Sequence, residues 1–82
     1  MKPFDDPSVA SAFEALPLQA RVGALALRDL IFETANSLPA ANPLREELRW
    51  GQPAYLAPKG STIRLGAHKS AGFALFVHLS LI

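Results

Sequence analysis

The hydrophobic pattern of this chain changes its period at Trp50-Gly51. Before this dipeptide, apolar residues recur at helical spacing, as at Val9, Phe13 and Leu16, whereas beyond it apolar and polar residues alternate within residues 62–66, and residues 73–79 form an apolar run that only His78 interrupts. A spacing of three or four places side chains on one side of a helix, and a spacing of two places them on one face of a strand. The sequence therefore predicts an α+β fold, with helices packed on one face of a small antiparallel sheet.

Two helices are predicted before the sheet. Asp6 can cap free N–H groups and Pro7 suits the first helical position, so the first helix begins there and ends near Leu16-Pro17. The second helix spans residues 18–38, which contain no proline. Its apolar arc is wide, so we expect neighbours to cover most of it. The arc holds Val22, Leu25, Leu27, Leu30, Ile31, Phe32, Ala35 and Leu38, and the polar side holds Arg21, Arg28, Asp29, Glu33 and Asn36.

One helical turn and three strands are predicted after the second helix. Asn42-Pro43 repeats the cap-then-proline pattern, which predicts a turn of helix over residues 43–47. Strands follow around residues 54–57, 62–66 and 73–79, and Ala57-Pro58-Lys59-Gly60 fits a type I turn between the first two. Alternation directs Ile63 and Leu65 toward the helices. The opposite face then carries Tyr55, Arg64, Phe76 and His78.

Composition narrows the classes of function. The chain has 82 residues, of which 50% are hydrophobic and 18% charged, as expected for one globular domain over residues 1–82. It has no cysteine, so disulfides and thiolate metal sites are excluded. Neither a signal peptide nor an apolar stretch of membrane-spanning length is present, so we expect a cytoplasmic location and no membrane partner. Net charge is +1 without a cluster of cations, so no nucleic-acid partner is expected.

The segment around Trp50 holds the candidate binding residues. We expect the indole to lie at the junction of helix and sheet, closing the core. Alternatively, Trp50, Gln52 and Tyr55 form the wall of a ligand pocket. In that pocket Arg64, His68 or Lys69 would hold an anion. The candidate ligand-binding residues are Trp50, Gln52, Tyr55, Arg64, His68, Lys69 and His78.

No catalytic or metal-ligating set is evident. The two histidines, His68 and His78, have no acidic residue nearby in the sequence, because the last acid is Glu47. A metal site would require Glu46, Glu47 or an acid of the long helix beside them. The hydroxyl residues lack the flanking glycines that expose a nucleophile. We therefore expect no catalytic residue, metal ligand or cofactor; an enzyme remains open only if Arg64 converges with His68 or His78 beside Trp50 and Tyr55.

The chain resembles the YdhG-like family, domains of unknown function with a frataxin-like fold. The similarity lies in residues 25–31, in Trp50-Gly51-Gln52-Pro53-Ala54-Tyr55, in Leu65-Gly66-Ala67-His68-Lys69 and in residues 74–78. One branch is thought to be an iron chaperone for iron–sulfur and haem assembly, so the resemblance alone implies iron. Family domains continue through further strands and a closing helix, so it also implies a domain that lacks those elements after Ile82. The sparse acids here transfer no metal ligand.

The expected function follows from these observations. We expect a non-enzymatic cytoplasmic domain that self-associates, as a homodimer, or binds a small ligand through the exposed sheet face. The apolar last strand, with no covering element after it, motivates this expectation. The alternative is a frataxin-like iron chaperone.

Overall fold

A computed structural model of the protein describes residues 1–58, 60, 62–66 and 74–78. Helices α1 (Pro7–Glu14) and α2 (Leu18–Asn36) are followed by a short 3-10 helix (Pro39–Ala41). The strands β1 (Arg45–Arg49), β2 (Gln52–Leu56), β3 (Thr62–Gly66) and β4 (Ala74–His78) form one antiparallel sheet in the order β1-β2-β3-β4. Both helices contribute to a single core on one face of this sheet. The predicted α+β fold is confirmed.

Helix α1 begins as the sequence predicts. The Asp6 side chain accepts hydrogen bonds from the Ser8 hydroxyl at 2.6 Å and from the Ser8 backbone N–H at 2.9 Å, and Pro7 follows as the first helical residue. These bonds lower the pKa of Asp6 because they favour the ionised carboxylate, and the bond from the Ser8 hydroxyl has the larger effect. The helix then directs Val9 and Phe13 into the core.

The segment predicted as a helical turn over residues 43–47 is a strand instead. Strand β1 pairs with β2 from Arg45 opposite Leu56 to Arg49 opposite Gln52. Its sequence, Arg-Glu-Glu-Leu-Arg, is charged almost throughout, so it shows no apolar alternation that would indicate a strand. Pairing with β2 decides its conformation, and the sheet has four strands rather than the predicted three.

The pairing register divides the sheet into two faces. Tyr55 lies opposite both Glu46 in β1 and Ile63 in β3, so these three residues share the face that the helices cover. Tyr55 is 1% exposed and Leu65 is 3% exposed, and both pack with Val9, Phe13 and Ala24 in the core. The inward direction predicted for Ile63 and Leu65 is correct, but the outward direction predicted for Tyr55 is wrong. The face of Tyr55 is set by its register with Ile63, which the sequence did not reveal.

The other face, here called the outer sheet face, carries Glu47, Ala54 and Arg64 at paired positions. In the register of β3 with β4, Arg64 lies opposite Phe76 and Thr62 lies opposite His78. The predicted pairing of these two strands is therefore confirmed over the described residues. Phe73 and Leu79, which were predicted to belong to the same strand, lie outside the described residues.

The turn between β2 and β3 forms where the sequence predicts it. The backbone N–H of Gly60 donates to the carbonyl oxygen of Ala57 at 3.0 Å. Gly60 has a φ of 93°, which glycine adopts readily because it has no Cβ.

Helix α2 is less covered than its apolar arc predicts. Its buried residues are Ala20, Ala24, Arg28 and Ala35. Val22 is 64% exposed and Leu30 is 56% exposed, so the expected cover over this part of the arc is wrong. Three of the four buried residues of α2 are alanines. The core, which includes Ala24, lies on this side of the helix. Leu38 lies beyond the end of α2 at Asn36 and is also exposed.

Candidate functional site

Trp50 lies at the tip of a hairpin rather than in the core. Trp50 and Gly51 are the only residues between the paired Arg49 and Gln52, and their φ angles are 51° and 74°. Two positive φ angles in a two-residue turn are typical of type I′ hairpins, which favour Asn-Gly. For a residue with a Cβ, this left-handed conformation costs roughly 1–2 kcal/mol. Trp50 is 86% exposed, so the prediction that its indole closes the core is wrong.

The reason for this difference is the position of β1. Because residues 45–49 already belong to the sheet, the chain passes from helix to sheet before Arg45. Trp50 therefore falls between two strands, at a turn that the helices do not cover in the described structure.

Three of the predicted binding residues do come together. The guanidinium carbon of Arg64 lies 5.0 Å from the centre of the Trp50 ring, within cation–π distance. Arg64 Nη1 also donates a hydrogen bond to Gln52 Oε1 at 3.1 Å. We call Trp50, Gln52 and Arg64 the hairpin-tip cluster. Its members belong to the β1–β2 turn, to β2 and to β3, so only the folded sheet assembles it.

Of the other four candidates, Tyr55 does not join this cluster. Tyr55 lies on the helix-covered face, so Trp50, Gln52 and Tyr55 do not form the wall of one pocket. His78 is placed by register opposite Thr62. His68 and Lys69 lie outside the described residues.

Charged side chains of β1 lie on the same sheet face as Gln52 and Arg64 of the hairpin-tip cluster. Glu47 forms ion pairs with Arg45 at 3.2 Å and with Arg49 at 3.1 Å. Together with Arg64, these residues give this side of the sheet three cations and one carboxylate. Strand β1 is also one edge of the sheet. Charged residues along an edge discourage the addition of another strand.

A buried ionic network centred on Arg28 is not predicted by the sequence pattern. The Arg28 side chain is 0% exposed, and its Nε and Nη2 donate to the two carboxylate oxygens of Glu46 at 2.6 and 2.9 Å. The Tyr55 hydroxyl donates to Glu46 at 2.8 Å. The network joins α2 to β1 and β2, although we predicted Arg28 on the polar side of its helix.

Arg28 also fastens the N-terminal segment. Its Nη1 and Nη2 donate to the carbonyl oxygens of Lys2 and Pro3, and its guanidinium carbon lies 3.9 Å from the centre of the Phe4 ring. Burial by itself would lower the pKa of Arg28, but the hydrogen bonds and charge of Glu46 outweigh it and raise the pKa. A signal was present in the sequence, because Arg28 lies four residues from both Ala24 and Phe32 and so within the apolar arc.

The pKa of Tyr55 is strongly shifted in the same network. Burial first, and then the hydrogen bond and negative charge of Glu46, raise the pKa of the Tyr55 hydroxyl well above its ordinary value. A neutral hydroxyl that donates to a carboxylate suits a structural role, because the group stays protonated across the physiological range.

Two further findings bear on function. Within the part of the chain that the structure describes, no group of three or more histidine, aspartate or glutamate side chains converges as a metal site. No helix among the same residues is both long and apolar enough to cross a membrane.

The fold and the hairpin-tip cluster define a small α+β domain that presents an aromatic residue to solvent. Comparison of the chain with protein-family models, curated proteins and solved structures finds no match. The resemblance to the YdhG-like family therefore stays a prediction.

Proposed function

We propose that this chain is a non-enzymatic cytoplasmic binding module that self-associates through the hairpin-tip cluster, at one end of the outer sheet face, and through helix α2. The observation that carries the proposal is Trp50, which combines 86% exposure with a left-handed backbone conformation. Neither burial nor local conformational preference accounts for tryptophan at this position. A contact between its indole and a partner molecule accounts for the tryptophan.

The energetic reason is the apolar area of the exposed ring. A tryptophan buries about 150–250 Å² in a contact, which at about 25 cal/mol per Å² corresponds to roughly 4–6 kcal/mol before the costs of association. Tryptophan and arginine are also enriched among the residues that dominate binding energy. The stacking of Arg64 on one side of the indole restricts the ring and so lowers the entropy lost on binding.

The partner that best fits this surface is a second copy of the chain. Helix α2 exposes the apolar residues Val22 and Leu30, and the carboxylates of Asp29 and Glu33 belong to the same side of the helix. The hairpin side offers the complementary set, an exposed indole flanked by arginines. In a twofold dimer each hairpin tip meets α2 of the other copy, so the contact is made twice.

Analytical ultracentrifugation over a range of protein concentrations tests this proposal. We expect the wild-type chain to dimerise and Trp50→Asn to weaken the dimer by about 30-fold or more, the equivalent of ~2 kcal/mol. Val22→Asn should weaken it as well. Leu38→Asn is the matched control, because Leu38 is exposed but lies outside both surfaces, and it should dimerise like the wild type.

Two results would contradict the proposal. One is a wild-type chain that stays monomeric at about millimolar concentration, where even weak dimers are populated. The other is a Trp50→Asn variant with unchanged dimerisation. Circular dichroism spectra of each variant verify that the fold is retained.

A further inference from the structure

A cleft on the helix side of the molecule lies apart from the hairpin-tip cluster of the same copy, but it shares Asp29 and Glu33 with the α2 surface of the proposed dimer, so the two proposals compete for these carboxylates. Its volume is about 490 Å³, within the range of small-molecule sites. It is enclosed by the N-terminal segment, the last turns of α2 and the chain before β1. Its lining includes Lys2, Asp29, Phe32, Glu33, Asn42 and Leu44.

The lining of this cleft is rich in hydrogen-bond acceptors. Asp29 and Glu33 are one helical turn apart, so their carboxylates lie on the same side of α2. Asn42 Nδ2 donates to the carbonyl oxygens of Ala35 at 2.8 Å and Leu38 at 3.4 Å. The amide nitrogen is thereby committed, and Oδ1 is the Asn42 side-chain atom that can accept a bond from a ligand.

The position of the cleft on α2 adds to the negative electrostatic potential of the two carboxylates. Asp29, Phe32 and Glu33 belong to the last two turns of the helix, which ends at Asn36. The carboxyl end of a helix carries a partial negative charge that favours cations.

A cation of the chain already lies beside this lining. Lys2 Nζ is 5.3 Å from the centre of the Phe32 ring, within the distance of a cation–π contact. Arg28 donates a hydrogen bond to the carbonyl oxygen of Lys2 and so holds its backbone. Lys2 is an exposed residue, so its side chain can leave the Phe32 ring. The Phe32 ring thus already accommodates an ammonium group in the folded chain.

We propose that this cleft binds a primary ammonium or guanidinium group, in competition with the side chain of Lys2. The carboxylates and Asn42 Oδ1 accept its N–H bonds, the Phe32 ring faces its charge, and Leu44 contacts its alkyl part. The cation comes either from a free amine or from a lysine or arginine side chain of a basic peptide. Organic cations fit better than metal ions, since the described residues bring no third carboxylate or imidazole to this pair.

Titration followed by amide chemical shifts tests the proposal. The Trp50→Asn variant is used throughout, so that self-association does not interfere and failure of the proposed function leaves the result readable. The probes are n-butylammonium, the uncharged 1-butanol and a short lysine–glycine peptide with blocked ends. We expect saturable shifts at Glu33, Asn42 and Leu44 with both charged probes and none with 1-butanol.

Variants then assign the binding energy to the cleft. Lys2→Met removes the competing ammonium and should tighten binding about 2- to 5-fold, the value of one exposed cation–π contact. Asp29→Asn combined with Glu33→Gln should weaken binding at least about 5-fold, because both carboxylates are lost. Glu14→Gln, which removes an exposed carboxylate on α1, is the matched control and should leave the affinity unchanged.

The outcomes separate the two sources of the cation and can overturn the proposal. Tighter binding of the peptide than of n-butylammonium identifies a basic segment as the ligand, and the reverse identifies a free amine. Equal shifts with 1-butanol, or full affinity in the Asp29 and Glu33 double variant, would refute an ammonium site. So would the absence of saturation in Lys2→Met up to about 0.1 M amine, which lies beyond the weakest specific binding.

Discussion

Replacing Arg28 is the sharpest test of how this small domain is held together. In Arg28→Met the Glu46 side chain, which is only 8% exposed, keeps its negative charge but loses its bidentate partner. The Tyr55 hydroxyl remains its hydrogen-bond donor. The N-terminal segment loses both hydrogen bonds that fix it and the guanidinium stacked on Phe4.

The expected loss of stability is large for a domain of this size. Removing one member of a buried ion pair costs about 3–5 kcal/mol, because the remaining charge is left without a partner. A chain of 82 residues unfolds with a free energy of about 4–12 kcal/mol. Arg28→Met should therefore be close to unfolding. Arg28→Met combined with Glu46→Gln removes both charges and should be more stable than the single variant by about 1–3 kcal/mol.

Urea denaturation followed by far-ultraviolet circular dichroism measures both effects. Tryptophan emission is a poor probe here, since Trp50 is exposed in the native state and its surroundings change little on unfolding. Tyr55→Phe is the control, because it removes one hydrogen bond to Glu46 without removing a charge and should cost only about 1 kcal/mol. A loss below about 1 kcal/mol in Arg28→Met, or a double variant less stable than the single one, would refute the reasoning.

Three further predictions concern the turn, the tyrosine and the first helix. Trp50→Asn should raise the unfolding free energy of the monomer by about 1 kcal/mol, since asparagine tolerates the left-handed turn; lower stability in urea denaturation would contradict the strain argument. Because the folded pKa of Tyr55 is raised, its contribution to stability is complete below its unfolded pKa of about 10 and is lost as pH rises through that value toward the folded one. Tyr55 is the only tyrosine, so tyrosinate absorbance should rise near pH 10 in urea but not in the folded protein, and equal titrations would disprove the shift. Asp6→Ala should destabilise the protein at neutral pH, with a difference from the wild type that vanishes as pH falls through the lowered pKa of Asp6; a difference that persists in acid would exclude its carboxylate as the cause.

Those parts of the fold that depend on local chemistry could be read from the sequence. The start of α1 requires only a capping oxygen at Asp6 and a proline that fits the first turn. The turn at Ala57 and Gly60 requires only proline and glycine at their positions. The strand over residues 62–66 follows from alternation over a few residues. In each case the residues that carry the information are close neighbours along the chain.

The candidate site could be predicted only in part. Trp50, Gln52 and Arg64 are three of the seven predicted binding residues, and the folded sheet brings these three into contact. The location of Trp50 was not predicted, since it depends on β1, whose charged sequence gives no strand pattern. Tyr55 was placed on the wrong face for the same reason, as its side depends on pairing with Glu46 and Ile63.

The sequence alone determined the order of helices before strands, the capping of α1 and the turn before β3, because each is decided by neighbours along the chain. The tertiary structure decided that Arg28 is buried, that residues 45–49 form a strand and that Trp50 faces solvent. Arg28 enters the core only because Glu46, 18 residues later, supplies the opposite charge there. Partners this far apart in the sequence are brought together by folding, and no local pattern records them.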